Sequence, residues 1–159
     1  MKKVFLALVA VVAIGTSTTF AQKAIGLRFG GNGTILGGEV TYQQAMGSNR
    51  LEADFGYRGG ENFSHLSVAG IYQWKGTIVG NFNWYAGPGA AVGLYMSDVA
   101  NASGISLAIG GQGGVEYDFS GHGVPLNISI DARPMFNLVR PSHYNGLDWG
   151  ACLSIRYLF

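Results

Sequence analysis

The sequence predicts an all-β chain folded as an eight-stranded antiparallel up-and-down transmembrane β-barrel. Three observations carry that prediction. Apolar and polar residues alternate at a period of two through segment after segment, the pattern of strands with two unlike faces. The intervening runs are short and rich in turn-forming residues. The 138 residues after position 21 (159 minus 21) hold eight strands of the roughly 9–11 residues a tilted membrane strand needs, leaving no room for crossover helices.

The chain opens with a secretory signal. Lys2 and Lys3 form a basic start, residues 4–14 an apolar run, and residues 15–21 a small and hydroxylated tail. Thr19-Phe20-Ala21 suits signal-peptidase cleavage before Gln22. The apolar run is shorter than the roughly 20 residues a membrane-spanning helix requires, so removal of residues 1–21 is expected. Residues 22–159 then form one barrel domain. No cysteine stands at the cleavage point, against a lipoprotein.

The strands follow in order. Residues 24–30 set Ile25, Leu27 and Phe29 against Arg28, and 36–43 set Val40 and Tyr42 against Glu39, Thr41 and Gln43. Residues 50–58 oppose Leu51, Ala53, Phe55 and Tyr57 to Glu52, Asp54 and Arg58. Residues 65–75 oppose Leu66, Val68, Tyr72 and Trp74 to His65, Ser67, Gln73 and Lys75. Residues 81–95 divide into Phe82, Trp84, Ala86, Pro88, Ala90, Val92 and Leu94 against Asn81, Asn83, Tyr85 and glycines. In 106–119, Leu107, Ile109, Val115, Tyr117 and Phe119 face away from Ser106, Gln112, Glu116 and Asp118. The cleanest segment, LNISIDAR at 126–133, alternates over eight residues. The last, 148–159, puts Trp149, Ala151, Leu153, Ile155, Tyr157 and Phe159 on one face and Asp148, Gly150, Cys152, Ser154, Arg156 and Leu158 on the other. Residues 76–97 carry no charge but contain Asn81, Asn83, Pro88 and five glycines, which makes a poor helix.

Short connections at 46–49, 76–80 and 120–123 are expected on the periplasmic side, with the longer ones, 96–104 and 138–146, at the outer surface. The polar faces carry Arg28, Glu39, Glu52, Asp54, Arg58, Lys75, Glu116, Asp118, Asp131, Arg133 and Arg156. An eight-stranded interior is narrow and filled by side chains, so these near-balanced charges would pair inside it. Tyr42, Trp74, Phe82, Trp84, Tyr117, Phe119, Tyr157 and Phe159 gather on apolar faces at the periplasmic end, as an aromatic girdle does. A soluble barrel with an apolar inside has no reason to gather them so.

The ending LSIRYLF, with Leu153, Ile155, Tyr157 and terminal Phe159 on one face, resembles the terminal-strand signature that outer-membrane barrels present to their assembly machinery. The chain from Gln22 onward resembles the eight-stranded barrels of the OmpA transmembrane domain and OmpX type. The resemblance implies an outer-membrane location, outer-membrane lipid as the surroundings, contact with the barrel assembly machinery through the strand ending in Phe159, and a monomer.

Little in the sequence carries chemistry. Formal net charge is +1, so nothing favours a nucleic-acid partner. Cys152 is the only cysteine, which excludes an internal disulfide and a thiolate zinc cluster. Some barrels of this type are lipid A deacylases that use a His and a Ser with a carboxylate. The candidate pair here is His65 with Ser67, but hairpin register sets Arg58 opposite His65, where a base would want a carboxylate. Adjacent Ser142 and His143 suit an ordinary loop beside Pro141, and His122 belongs to a turn. No histidine has a second one at ligand spacing, so no metal is expected. The runs 110–114 and 87–89 match no phosphate loop; glycine there lets strands bend and leaves room for inward neighbours such as Tyr85 or Arg133 beside Gly114. The sequence therefore names no catalytic, cofactor-binding or metal residue. It favours a non-enzymatic part in envelope integrity or surface contact, ahead of a lipid-modifying enzyme or a narrow pore.

Overall fold

The computed structural model describes residues 23–31, 36–60, 63–97, 102–139 and 146–159. The signal segment lies outside them, as do residues 98–101 and 140–145 of the two longer connections, Ser142 and His143 included. Ten strand segments make eight staves. The first six are β1 (Lys23–Gly31), β2 (Leu36–Met46), β3 (Asn49–Gly60), β4 (Phe63–Val79), β5 (Phe82–Ser97) and β6 (Ala102–Asp118). The seventh is β7 (Leu126–Ala132) continued by β8 (Met135–Val139), and the eighth is β9 (Leu147–Asp148) continued by β10 (Ala151–Leu158). Each stave pairs antiparallel with the next, and β1 pairs with β10 from Ala24↔Leu158 to Gly31↔Ala151, closing the barrel. Reciprocal 2.9 Å backbone bonds between Lys23 and Phe159 finish the seam. A closed barrel leaves no unpaired strand edge.

The alternation read in the sequence sets inside and outside throughout. In the last stave Leu153, Ile155, Tyr157 and Phe159 are 57%, 46%, 51% and 59% exposed, while Cys152, Ser154 and Arg156 are 6%, 1% and 0% exposed. Buried apolar side chains are few among the described residues: Ala24, Ala69, Ile71, Tyr85, Ala108, Met135 and Cys152. The rest of the interior is polar. A water-soluble domain would forfeit roughly 1.5–3 kcal/mol for each large apolar side chain left outside, and apolar surface this continuous exceeds what soluble monomers show.

Four details depart from the sequence reading. The turn expected over residues 76–80 is only Gly80-Asn81: β4 runs on through the β-branched Thr77, Ile78 and Val79 to a bulge opposite Phe82. The strand expected to end at Arg133 is interrupted at Arg133-Pro134 and resumes, because proline has no N–H for the ladder. Its neighbour breaks beside it at Trp149-Gly150, yet the register holds from Ala151↔Ala132 to Met135↔Asp148. The β4–β5 ladder also skips, from Ile71↔Gly89 to Trp74↔Ala86, opposite Pro88. Finally, aromatics are not confined to one end. Trp74, Phe82, Trp84, Tyr157 and Phe159 are exposed at the end with the short turns (the turn end), and Phe29, Tyr57, Phe136 and Trp149 are exposed towards the open end.

Neighbouring residues in the last stave test this inside-out arrangement. In the folded protein Cys152 should resist a lipid-soluble maleimide, whereas an engineered thiol at Leu153→Cys, in a Cys152→Ser background, should react. Mass spectrometry of the intact chain reads both; equal labelling would contradict the assignment of faces.

Candidate functional site

The lumen is the one region where the fold concentrates charge, and its residues come from nearly every stave. Arg28 on β1 faces Glu39 on β2 as a direct cross-strand pair and bonds it at 2.7 Å. Its other terminal nitrogen reaches Asp131 on β7 at 2.5 Å, two staves away. That reach is open because β10, which lies between, presents only Cys152 and Ser154 at this level. Tyr85, 1% exposed, donates its hydroxyl to Asp131 at 2.9 Å.

Arg133 enters the lumen at the break in the seventh stave. It bonds Glu39 at 3.1 Å, Glu52 at 3.2 Å and, closer still, Asp54. Arg156 takes the other side of Glu52 at 3.0 Å, with Ser129 at 2.7 Å and Thr41 at 3.3 Å. It crosses β1 at Gly26, where a Cβ would sit 2.8 Å from the Arg156 side chain and 2.0 Å from the Ile155 carbonyl. Gly114 works the same way, but for a different neighbour than the sequence suggested. Its missing Cβ would lie 2.6 Å from the Cβ of Asp131, so the space belongs to Asp131, the partner of Tyr85.

Towards the turn end, Glu116 is held between Arg50 at 2.6 Å and Lys75 at 2.7 Å. The Arg50 guanidinium also lies 4.6 Å from the centroid of the Tyr85 ring, a cation–π contact. Towards the open end, Arg58 bridges Asp148 at 3.1 Å and Glu39 at 3.6 Å. Six bases (Arg28, Arg50, Arg58, Lys75, Arg133, Arg156) thus meet six acids (Glu39, Glu52, Asp54, Glu116, Asp131, Asp148), and each charge has a partner. Such pairing is what permits buried charge at all, since each unpaired ion would cost several kcal/mol.

Among the described residues, a small cavity lies on each side of this packed middle. The turn-end cavity measures about 110 Å³ and is lined by residues that include Gln43, Asn49, Arg50, Lys75, Asp118 and Asn127. The open-end cavity measures about 60 Å³ and includes Arg58, His65, Ser67, Ser106, Asn137 and Asp148 in its lining.

All eleven charges that the sequence set on polar faces look into the lumen or its mouths; Asp118, half-buried at the lumen's edge, lines the turn-end cavity and also accepts a 2.8 Å bond from the Ser120 backbone N–H to cap the 3₁₀ turn Phe119–His122. Arg58 does stand opposite His65. His65 bonds Ser106 at 3.1 Å across Gly93, whose missing Cβ would lie 2.4 Å from the His65 ring, and Ser67 lines the same cavity. His122 meets the Tyr117 hydroxyl at 2.9 Å in its turn. No group of His, Cys, Asp and Glu suited to a metal ion occurs among the described residues. The sequence reading set Asp148 on the inward face without counting it among the lumen charges, and it missed Arg50. Arg50 could have been found from its parity with Glu52 and Asp54.

No protein-family model matches the chain, and no curated protein matches it in sequence. Solved structures do match in shape. Neisserial surface protein A superposes with a TM-score of 0.64 at 11% identity, over 87% of this chain and 96% of the other. The N-terminal β-barrel domain of Pseudomonas aeruginosa OprF gives 0.59 at 15% identity, over 87% and 99%. The fold is that of a small outer-membrane barrel. A de novo designed transmembrane β-barrel shares it too, with a TM-score of 0.52 at 14% identity over 87% and 95%. At such identities the likeness is one of architecture.

The plug makes a graded prediction. Arg133→Met removes the sole cationic partner of Asp54 and should destabilise the barrel by about 3–5 kcal/mol, as breaking a buried pair does. Arg58→Met, at the half-exposed rim, should cost about 1 kcal/mol or less. Urea unfolding of protein refolded into lipid vesicles measures both; equal losses would contradict a plug centred on Arg133.

Proposed function

We propose that this chain is an integral protein of a bacterial outer membrane, exported by its first 21 residues and non-enzymatic, serving envelope integrity or surface contact. The observation that carries the reading is a continuous apolar shell, belted by aromatics at both ends, around a polar lumen whose central charges are paired. Lipid satisfies such a shell, and a closed strand ladder leaves no backbone group unmet within it. The turn end, where both termini of the barrel lie, faces the periplasm, and the longer connections face outwards.

The packed middle argues against a pore, because the Arg28, Arg133 and Arg156 clusters fill the passage between the two cavities. A lipid-modifying role is disfavoured on geometry. The His65–Ser106 pair looks into a cavity of about 60 Å³, too small for an acyl chain.

Expression in a Gram-negative host tests the proposal. The protein should be recovered with the outer membrane, and the unheated sample should run faster on a gel than the boiled one, since a closed barrel resists unfolding by detergent. The acyl pattern of the host's lipid A should be unchanged. Recovery in the soluble fraction with heat-independent mobility would refute the membrane assignment. An acyl shift abolished by His65→Ala would replace the non-enzymatic role with catalysis.

A further inference from the structure

The turn-end cavity differs from the plug in having room and unmet hydrogen-bonding groups together. We propose that it binds a small zwitterion of amino-acid size, with the carboxylate at Arg50 and Lys75 and the ammonium at Asp118 and Asn127. Arg50 and Lys75 stand on β3 and β4; Asp118 and Asn127 stand on β6 and β7. Arg50 and Asn127 are four staves apart in a barrel of eight, so that donor and that acceptor face each other across the lumen, with Lys75 and Asp118 two staves apart between them. Including Glu116, which holds both cations from behind, the group carries two positive and two negative charges. A neutral but polarised pocket fits a neutral but polarised guest.

Two further observations point to an occupant. The Nη2 of Arg50 and the Oδ1 of Asn127 are buried and have no hydrogen-bond partner, one a donor and the other an acceptor. Each such group is less stable than when its hydrogen bond is made. The cap bond to Ser120 uses Oδ1 of Asp118, leaving Oδ2 for an ammonium group. Space is adequate as well: one water needs roughly 10–15 Å³, and the cavity offers about 110 Å³. A lone carboxylate would face the charge of Asp118, and a lone ammonium would face Arg50 and Lys75. Only a molecule carrying both ends meets each wall with its complement.

Titration of the ¹⁵N-labelled barrel in detergent micelles tests this, reading the Asn127 side-chain amide and the Arg50 Nε–H. Glycine should shift both signals saturably, while acetate and methylammonium should bind at least roughly tenfold more weakly. Asp118→Asn keeps the oxygen that caps Ser120 and removes the charge, so it should weaken glycine binding by roughly tenfold. Lys75→Met provides a second variant that leaves the Arg50–Glu116 pair in place and should weaken it too. Heat-dependent gel mobility verifies that each variant is folded. A linear, unsaturated response to glycine, equal binding of acetate, or unchanged affinity in both variants would overturn the proposal.

Discussion

Charge inside a barrel this narrow must be paired by charge from another stave, and the rest of the structure follows from that constraint. Arg133 alone gathers Glu39, Glu52 and Asp54, and Arg156 closes the far side of Glu52. Long side chains crossing a small lumen need neighbours that stay out of the way. Gly26 gives way to Arg156 and Gly114 to Asp131, so the glycines of these strands are partners of the charges. With the inside committed to polar groups, period two leaves the apolar residues no place but outside. Lipid burial of that outer face then does for stability what a hydrophobic core does in a soluble domain.

This arrangement was legible in the sequence to the depth that alternation reaches. Parity names the face of each residue, and it placed Ile130 outside and Asp131 inside before any coordinates. It also set Arg58 opposite His65. What parity cannot give is the partner across the lumen, because that depends on how the staves wrap in three dimensions. Hence His65 was read with Ser67 on its own strand, when Gly93 leaves it free to meet Ser106 two staves away. Strand ends were blurred for a local reason. Gly76 reads as a turn signal, but it lies within β4 because a Cβ there would strike the Trp84 indole at 2.4 Å. Pro134 reads as a stop, yet pairing on both flanks carries the stave past it.

The division of the lumen into a rigid middle and two small mouths also bears on what the protein can do. Transit through the centre would require parting several buried ion pairs at once, each expensive to separate. Interaction therefore belongs to the ends and the outer surface. The open end is lined by Arg58, Asp148 and Asn137 beside the His65–Ser106 pair, which makes a polar rim. The turn end keeps its unmet groups.

Everything above depends on which face is buried in lipid, and the neighbours Ile130 and Asp131, 55% and 4% exposed, test it most directly. Urea unfolding of the barrel refolded into vesicles should show Ile130→Arg losing about 2–4 kcal/mol, the penalty for a charge on the lipid face near mid-membrane. Asp131→Leu should also be destabilising, because it strips Arg28 of one carboxylate and Tyr85 of its acceptor. If Ile130→Arg is tolerated while Asp131→Leu raises stability, the apolar face is the inner one and the account is wrong.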